Sequence, residues 1–370
     1  MPSVTGRVAA FYGPGKPMKI KQYAVPSPEP GAAVLEMTVA NVCGSDLHQW
    51  RGEFDVEKFG RPYPQILGHE MTGRIHELGE GLSRDAAGSP LQVGDRVIFR
   101  YFYPCGKCRA CTKRVFRACP FARLYLTRSC DSPPHFYGAF GDYHYLNRGA
   151  AIFKVPDELP DETVAGINCA LSQVVGGMQL AQLKLGENVV IQGAGGLGVY
   201  AAAVAKQMGA GKVIVIDGIQ ERLDLAAAFG ADELIDFRQL KEADERIKRV
   251  FELTDEWGAD VVAELAGHPR VCPEGLRMLG RTGRYLEIGN ISPGLTYELD
   301  PSWLIFGNRT IYGMVYYEAE HLQQALELVV RTRDLYPWHK VLSHKFPLAE
   351  INEAFNMADQ GKVTRAAIVP

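Results

Sequence analysis

Four cysteines lie within fifteen residues of one another, a spacing typical of a metal-binding loop. They follow the pattern C-x2-C-x2-C-x7-C at Cys105, Cys108, Cys111 and Cys119. Such spacing lets one loop bring its thiolates to a single tetrahedral ion, and soft sulfur ligands favour zinc. Because four sulfurs fill the coordination sphere, we expect a closed site that stabilises the fold. A disulfide pair or an iron–sulfur cluster is the alternative, although ferredoxin cysteines use other spacings.

A second set of metal-binding residue types is spread along the chain. Cys43 begins the segment Cys-Gly-Ser-Asp-Leu-His, His69 lies in Gly-His-Glu, and Cys169 stands alone. Thiolates and imidazoles are zinc ligands, and Cys169 or Glu70 could complete the coordination sphere. Each of these residues, taken by itself, is more often a packed core residue than a ligand. The spacing alone therefore leaves a metal site and a set of core residues as alternatives.

A glycine-rich segment between two apolar runs predicts a dinucleotide-binding loop. The segment Gly193-Ala194-Gly195-Gly196-Leu197-Gly198 has the form G-x-G-x-x-G, follows a predicted strand at Asn188–Gln192 and opens an alanine-rich helix. Gly193 would make the tight turn, Gly195 would let backbone N–H groups approach a pyrophosphate, and Gly198 would let the helix pack closely on its strand. The helix N-terminus would offer further N–H donors to the phosphates.

An acidic residue ends the next predicted strand. Asp217 lies 19 residues after Gly198, where a carboxylate commonly binds the adenosine ribose hydroxyls. A 2′-phosphate at that place would meet a like charge, so Asp217 predicts NAD rather than NADP. Arg222, five positions further on, could stack on adenine or approach a phosphate. The alternative is a tight glycine turn in which Asp217 only caps the end of the strand.

The elements that must position these residues follow two patterns. Up to about residue 160, short apolar runs such as Ala33–Val39 and Asp95–Phe99 lie between Gly and Pro, which predicts a compact β-rich unit. From Asn188 onward, apolar strands alternate with alanine-rich helices, which predicts a doubly wound parallel sheet. The segment after Gly313 is too short for a domain of its own. We therefore expect an α/β chain with a catalytic domain (1–170 and 314–370) and a Rossmann coenzyme domain (171–313).

Composition limits the classes of partner. The chain has 370 residues, of which 46% are hydrophobic and 22% charged, and its net charge is −3. This charge argues against nucleic-acid binding, although a four-cysteine loop could in principle be a nucleic-acid-binding ribbon. No stretch approaches the ~20 apolar residues of a membrane span, and the first residues lack the apolar segment of an export signal. We expect a cytoplasmic protein with reduced cysteines and neither nucleic-acid nor membrane partners.

The order and spacing of these motifs resemble the zinc-dependent medium-chain alcohol dehydrogenases, which include polyol and threonine dehydrogenases. The resemblance runs nearly end to end. It implies a GroES-like catalytic domain, a Rossmann domain that binds NAD, and assembly as a homodimer or homotetramer. The motifs that carry it are Cys43–His48, Gly68-His69-Glu70, Val93–Val97, the four-cysteine loop, Cys169, the glycine loop with Asp217, Asp260–Gly267 and Arg365.

The resemblance also assigns residues to the site. It implies that Cys43, His69 and Cys169 bind a catalytic zinc, while Glu70 lies close behind and can exchange with water or Cys169. Asp46 is expected to orient His69 as a hydrogen-bond acceptor. With the four-cysteine loop, this makes two zinc ions per chain, one catalytic and one structural. The coenzyme contacts implied outside the glycine loop are Gln173, where relatives commonly carry Thr, and Arg365.

The implied reaction transfers hydride between an alcohol and NAD and interconverts the alcohol with a ketone or aldehyde. Zinc would lower the pKa of the alcohol, and Ser45 and His48 would carry its proton to the surface. Gly44 stands where some alcohol dehydrogenases carry a basic residue, which matches the polyol and secondary-alcohol branch. Trp50, Tyr101 and Phe102 are either pocket walls or core aromatics, and an aromatic wall would favour a bulky apolar secondary alcohol.

Two other functions are alternatives. One is a zinc-less reductase of the same superfamily that acts on quinones or activated double bonds. The other is a non-catalytic relative that binds nucleotide. The retained Cys43, Ser45, His48 and His69 favour an active zinc enzyme over both.

Overall fold

The computed structural model describes residues 4–53, 57, 60–124 and 128–370. Contacts between residues divide the chain into two compact units. The first unit comprises the described residues up to Ser172 together with Tyr317–Arg333 and Trp338–Pro370, and the second comprises Gln173–Tyr316 and Asp334–Pro337. The chain thus leaves the first unit after Ser172 and returns to it at Tyr317.

The strands and helices of both units are numbered in chain order. The strands, in chain order, are β1 (Thr5–Phe11), β2 (Lys19–Ala24), β3 (Ala33–Asn41), β4 (Gln65–Ile66), β5 (Glu70–Leu78), β6 (Arg96–Phe99), β7 (Phe102–Tyr103), β8 (Arg123–Leu124), β9 (Tyr143–Leu146), β10 (Ile152–Lys154), β11 (Asn188–Gln192), β12 (Lys212–Asp217), β13 (Glu233–Asp236), β14 (Ala259–Glu264), β15 (Leu279–Glu287), β16 (Thr310–Gly313), β17 (His344–Pro347) and β18 (Ala366–Val369). The helices are α1 (Gly44–Arg51), α2 (Arg109–Thr112), α3 (Asp161–Val164), α4 (Ser172–Leu180), α5 (Gly196–Gln207), α6 (Gln220–Ala228), α7 (Ala243–Leu253), α8 (Cys272–Met278), α9 (Pro301–Gly307), α10 (Ala319–Thr332) and α11 (Ile351–Asp359). Among the described residues, every helix is too short or too polar to cross a bilayer.

A largely antiparallel sheet forms the centre of the first unit. Its strands follow the order β10-β6-β5-β3-β18-β17, with β9 also paired to β3, and a smaller sheet has the order β2-β1-β4. The apolar run predicted at Ala33–Val39 becomes β3, whose side chains are mostly buried. Asn41 at the end of β3 pairs with Glu70 at the start of β5. This register brings the segment that follows β3 next to the segment that precedes β5.

The second unit contains the predicted parallel sheet, which is confirmed. Its strands follow the order β13-β12-β11-β14-β15-β16. The apolar residues of the four central strands are buried on both faces, as is usual in parallel sheets. The core contains Val190, Ile214, Val262 and Tyr285. The direction in which strands are added reverses between β11 and β14, and open α/β sheets bind ligands outside the carboxyl ends at such a point.

Several elements of the second unit, among them β13 and α7, were not predicted. β13 and α7 lie in a polar segment whose apolar residues are sparse. In α7 the buried residues Ile247, Val250 and Leu253 recur every three positions, which is the one-sided pattern of a helix packed on a sheet. The stability of α7 therefore comes from packing these few apolar side chains on the sheet, because most of its residues are polar.

Candidate active site

Cys43 lies between β3 and α1, directly before the first turn of the helix. Asp46 accepts a hydrogen bond from the backbone N–H of Cys43 through Oδ2 at 2.9 Å. The helix therefore begins with an acidic side chain folded back on the residue before it, as in a capping box. Both residues are buried, so the first turn holds the Cys43 thiol in one place.

His69 lies in the turn between β4 and β5. Gly68 has φ +88°, and a Cβ atom there would lie 2.8 Å from the ring of Phe140, so the turn requires glycine. Asp46 Oδ1 accepts the backbone N–H of Gly68 at 3.1 Å and lies 3.5 Å from His69 Nδ1. An imidazole whose Nδ1 faces a carboxylate presents Nε2 to a metal, as metal-bound histidines usually do.

Cys169 lies in a single π-helical turn, Ile167–Leu171, directly before α4. The backbone N–H of Leu171 donates to the carbonyl of Gly166 at 3.2 Å, which is the wide turn of a π-helix. Such turns are rare and often occur at functional sites because they re-aim side chains. Here the turn carries the buried Cys169 thiol.

Cys43, His69 and Cys169 converge. Their candidate ligand atoms lie within 4.8 Å of one another, and all three side chains are buried. A hydrogen bond between the two thiols lowers the pKa of Cys43 and raises the pKa of Cys169. Burial opposes a charge on His69, but the charges of Asp46 and Cys43 outweigh it and raise its pKa to about 10. Two thiols and an imidazole at this spacing fit a zinc ion, which would displace their protons.

Glu70, the predicted exchangeable ligand, forms a buried ion pair with Arg365. Asn41 Nδ2 donates a hydrogen bond to the same carboxylate at 3.5 Å. The guanidinium supplies the charge that allows a carboxylate to be buried here. Glu70 as an exchangeable ligand and Arg365 as a coenzyme contact stay predictions.

The proposed proton carriers share one face of α1. Ser45 and His48 are three residues apart, which places their side chains side by side on a helix. His48 Nδ1 is paired with the Glu53 carboxylate, and the His48 side chain is 18% exposed. No motif in the sequence marks Glu53 as this partner. Gln173, the predicted nicotinamide contact, is buried near the start of α4, and its role stays a prediction.

The four-cysteine loop closes around a common centre. Cys108 Sγ lies 3.6 Å from Cys111 Sγ and 3.7 Å from Cys119 Sγ, and Cys105 Sγ lies 3.9 Å from Cys111 Sγ. A tetrahedral zinc with bonds of about 2.3 Å needs sulfur–sulfur distances of about 3.8 Å. A hydrogen bond from the Lys107 backbone lowers the pKa of Cys105 to about 6. The four thiols are free of disulfides, so the arrangement fits a structural zinc site.

The glycine loop joins β11 to α5. Gly193 has φ +94°, and a Cβ atom there would lie 2.9 Å from Cα of Ala266. A Cβ atom on Gly198 would lie 1.8 Å from the carbonyl oxygen of Gly193, whereas one on Gly195 would meet no atom within 4 Å. The loop therefore turns tightly, packs its helix closely on the strand and leaves the helix N-terminus open, as the dinucleotide motif requires.

Asp217 ends β12 and is buried next to the glycine loop. Its Oδ2 accepts the backbone N–H of Ala194 at 2.7 Å, and its Oδ1 accepts those of Gly218 and Ile219 at 2.7 and 2.9 Å. A carboxylate can accept about four hydrogen bonds. Asp217 therefore does cap the end of the strand. Because three of its acceptor positions are used, about one remains for a ribose hydroxyl, and ribose binding by Asp217 stays a prediction. Arg222 lies in the first turn of α6 and is half-buried.

The three aromatic candidates for pocket walls have different surroundings. The ring of Tyr101 lies 4.7 Å from that of His69, centroid to centroid. Phe102 is fully buried and packs on Tyr317 at 5.6 Å, so it is a core residue. Trp50 packs on Phe355 at 6.0 Å. Of the three, Tyr101 is therefore the one beside the ligand group.

Several residues near the ligands were not identified from the sequence. The side chain of Asn168 bonds the backbone on both sides of Glu70, and the hydroxyl of Tyr317 donates to the carbonyl of Asn168. No motif marks either residue, and 149 positions separate them. The one feature of the sequence that could have pointed to Asn168 is its position directly before the candidate ligand Cys169.

Comparison with known proteins agrees with this geometry. The family model "Alcohol dehydrogenase GroES-like domain" matches residues 29–157, and the model "Zinc-binding dehydrogenase" matches residues 196–331. The 5-exo-hydroxycamphor dehydrogenase of Pseudomonas putida is 33% identical over 353 residues, which are 95% of each chain. An L-threonine 3-dehydrogenase of Xanthomonas euvesicatoria is 29% identical over 359 residues, 94% of this chain and 95% of the relative.

Similarity extends to solved structures. The crystal structure of an alcohol dehydrogenase from Thermotoga maritima superposes with a TM-score of 0.92 at 29% identity, covering 99% of this chain and 100% of the other. The predicted combination of a GroES-like domain with a Rossmann domain is therefore confirmed. The chain belongs to the zinc-binding medium-chain alcohol dehydrogenase family.

Proposed function

We propose that this chain is a zinc-dependent dehydrogenase that uses NAD to interconvert a secondary alcohol and its ketone. The observation that carries the proposal is the convergence of Cys43, His69 and Cys169, three buried ligand atoms within 4.8 Å of one another. Three protein ligands leave a fourth tetrahedral position for substrate oxygen, as in catalytic zinc sites. The division into a catalytic domain (1–170 and 314–370) and a coenzyme domain (171–313) is part of the proposal.

The side chains around the site have separate tasks. When bound, zinc would supply a Lewis acid for the substrate oxygen, and the nicotinamide would exchange the hydride. Asp46 keeps His69 in a fixed orientation through the contact at Nδ1. The Ser45 hydroxyl can both accept and donate a proton, and His48 lies on the same face of α1. Glu53 is paired with His48 and would hold its imidazole in place.

NAD is the proposed coenzyme because of the charge at the end of β12. A 2′-phosphate would lie against the Asp217 carboxylate, and like charges in a recognition site cost several kcal/mol. Arg238 is a cation that could offset this repulsion. Its guanidinium is already paired with Asp236, to which Nε and Nη2 donate hydrogen bonds at 3.0 and 2.9 Å. Arg222 lies five positions after Asp217, and in our proposal its positive charge does not overcome the repulsion between the Asp217 carboxylate and a 2′-phosphate.

A secondary alcohol is the proposed substrate class. Gly44, at the exposed start of α1, carries no cation of the kind found in some alcohol dehydrogenases. The ring of Tyr101 beside His69 would give an apolar wall next to the metal. Two relatives are named for 5-exo-hydroxycamphor and for position 3 of L-threonine, and both of these hydroxyl groups are secondary.

We also propose that the chain forms a homodimer or homotetramer in the cytoplasm. β16 is an edge strand of the six-stranded sheet, and the preceding helix α9 exposes Ile305 at 72% and Phe306 at 75%. Exposed apolar side chains next to an unpaired edge favour association with another chain. All eight cysteines are free, as expected in a reducing compartment.

Zinc analysis combined with a substrate panel tests the proposal. Secondary alcohols, primary alcohols, polyols and hydroxy acids would be assayed with NAD and with NADP by the absorbance of the reduced coenzyme. We expect two zinc ions per chain and faster turnover of secondary than of matched primary alcohols. Zinc-independent reduction of quinones or enones would support the zinc-less reductase, and coenzyme binding without turnover would support a non-catalytic relative.

A further inference from the structure

Asn168 precedes the candidate ligand Cys169 and reaches the strand that follows His69. Its Oδ1 accepts a hydrogen bond from the backbone N–H of Met71 at 3.1 Å, and its Nδ2 donates to the carbonyl of His69 at 3.0 Å. The side chain is fully buried. Because a carboxamide offers both an acceptor and donors, like a peptide group, it can pair with the backbone on both sides of Glu70.

These two backbone groups lie beyond the end of a strand pairing. In the described part of the chain, β6 pairs with β5 from Gly73 onward, where Gly73 is opposite Val97. The carbonyl of His69 and the N–H of Met71 precede that point. Leaving a buried polar group without a partner costs roughly 1–3 kcal/mol, so the Asn168 side chain supplies bonds that a continued pairing of β5 with β6 would otherwise make.

Two buried side chains tie the three ligand segments together in pairs. Asp46 bonds the N–H groups of Cys43 and Gly68, which joins the first segment to the second. Asn168 joins the second segment to the third, because it bonds the backbone around Glu70 and is the neighbour of Cys169. Tyr317 fixes this link from the other side, since its buried hydroxyl donates to the Asn168 carbonyl.

We propose that Asn168 is a positioning residue of the catalytic zinc site, which sets the separation of His69 and Cys169 before the metal binds. The inference rests on the proposed function, which takes those two residues as zinc ligands. Removing a group that orients metal ligands typically weakens metal binding 10- to 100-fold. The four-cysteine loop shares no bond with Asn168 among the described residues, so its zinc serves as an internal reference.

The test measures zinc affinity in two variants of the full chain. Asn168→Ala removes both hydrogen bonds, and Asn168→Asp preserves size and the acceptor for Met71 but loses the donor to His69. Zinc would be withdrawn with a chromophoric chelator, and cobalt(II) substitution would report ligand geometry by absorption. We expect both variants to hold one of two zinc ions about 10- to 100-fold more weakly, with an altered cobalt spectrum, while the other zinc is unchanged.

Asn352→Ala is the matched control. Asn352 makes the same double contact elsewhere in the first unit, accepting the N–H of Met18 at 2.8 Å and donating to its carbonyl at 3.0 Å. This variant should keep both zinc affinities even if its melting temperature falls as far as that of Asn168→Ala. If Asn352→Ala also lost the catalytic zinc, then removing any such side-chain contact to the backbone in this unit would weaken zinc binding. That result would overturn a positioning role for Asn168.

The outcomes separate the inference from the proposed function. Two zinc ions in the wild type, with wild-type zinc affinity in a folded Asn168 variant, overturn the inference alone. If Asn168→Ala does not fold, the near-isosteric Asn168→Asp decides. A wild-type chain that binds a single zinc, in its four-cysteine loop, overturns the proposed function and this inference with it.

Discussion

Glu264 and Glu287 end two neighbouring parallel strands and lie opposite each other in register. Glu264 is fully buried, and Glu264 Oε2 and Glu287 Oε1 are buried oxygens that accept no hydrogen bond from the described residues. Burial and the neighbouring Glu287 raise the pKa of Glu264 to about 8. The pair therefore holds a proton at neutral pH. The other Glu264 oxygen accepts the N–H of Gly267 at 2.6 Å.

This pair predicts a pH-dependent stability. The pKa of Glu264 rises from its ordinary 4.5 to about 8 on folding, so between these values the folded chain binds more protons than the unfolded chain. Its contribution to stability is present below about pH 4.5, falls by up to about 1.4 kcal/mol per pH unit as pH rises, and is lost above about pH 8. Glu264→Gln keeps the shape and cannot ionise. We expect this variant to be more stable relative to wild type at pH 9 than at pH 6.

Chemical unfolding at a series of pH values measures this difference. The exposed Glu298 supplies the control, because Glu298→Gln should leave the pH dependence of the wild type unchanged. Parallel stability curves for wild type and Glu264→Gln would show that the pair does not store a proton.

Replacing one proposed ligand should remove the catalytic zinc selectively. Cys43→Ala is expected to lower zinc content from two ions per chain to one and to abolish turnover, because two remaining ligands hold zinc poorly. The fold should persist, since the four-cysteine loop keeps its metal. Elemental analysis with an activity assay measures both. Cys130 lies outside both ligand groups, and Cys130→Ala should retain both ions. Unchanged zinc in Cys43→Ala would exclude this residue as a ligand.

The four-cysteine loop should respond in stability first. Cys111→Ser is expected to lose one zinc and to lower the melting temperature, because metal binding and loop folding are coupled in such sites. Turnover should fall only to the extent that the protein unfolds. Calorimetry measures the melting temperature, and zinc analysis measures the metal content. Lys107→Ser changes an exposed residue of the same loop and should leave both quantities near wild type. A Cys111→Ser protein with wild-type zinc content and melting temperature would contradict the structural assignment.

Coenzyme choice should depend on the charge of Asp217. Asp217→Ser deletes both the ribose contact and the repulsion, so the preference for NAD over NADP should narrow at least about tenfold in kcat/KM. Asp217→Asn removes the charge at nearly unchanged size, so it should also narrow the preference. Its NH2 group replaces one of the two accepting oxygens, so it keeps the backbone hydrogen bonds of one oxygen only. Asp224→Asn, on the exposed side of α6, is the control. A wild type that prefers NADP would refute this assignment.

Association should depend on the apolar end of the second unit. Phe306→Asp places a charge on the exposed surface of α9 next to the edge strand β16, and it should dissociate the oligomer into smaller species. Light scattering or sedimentation measures the mass. Phe121, 66% exposed in the first unit, provides a matched substitution, since Phe121→Asp should leave the mass unchanged. A monomeric wild type would remove the basis for this surface.

Local spacing alone determined a large part of this protein. The four cysteines of the structural loop lie within fifteen residues, so the chain has little choice but to bring their thiols together. The glycine loop was predictable for the same reason, because Gly193 and Gly198 act within one strand–loop–helix unit. The alternation of apolar strands and helices identified the parallel sheet, since each buried strand must be covered by the helix that follows it.

Only the tertiary structure decided which distant residues meet. Cys43 and Cys169 are 126 positions apart, and their convergence depends on the register of β3 with β5 and on a single π-helical turn. The ion pair of Glu70 with Arg365 spans 295 positions. The Asn168 contacts belong to no motif, and the motif Asp260–Gly267 contains Glu264 without marking its partner Glu287. Such contacts form only when strands from separate parts of the chain pack together. The spacing of residues along the sequence does not predict which distant residues will then be in contact.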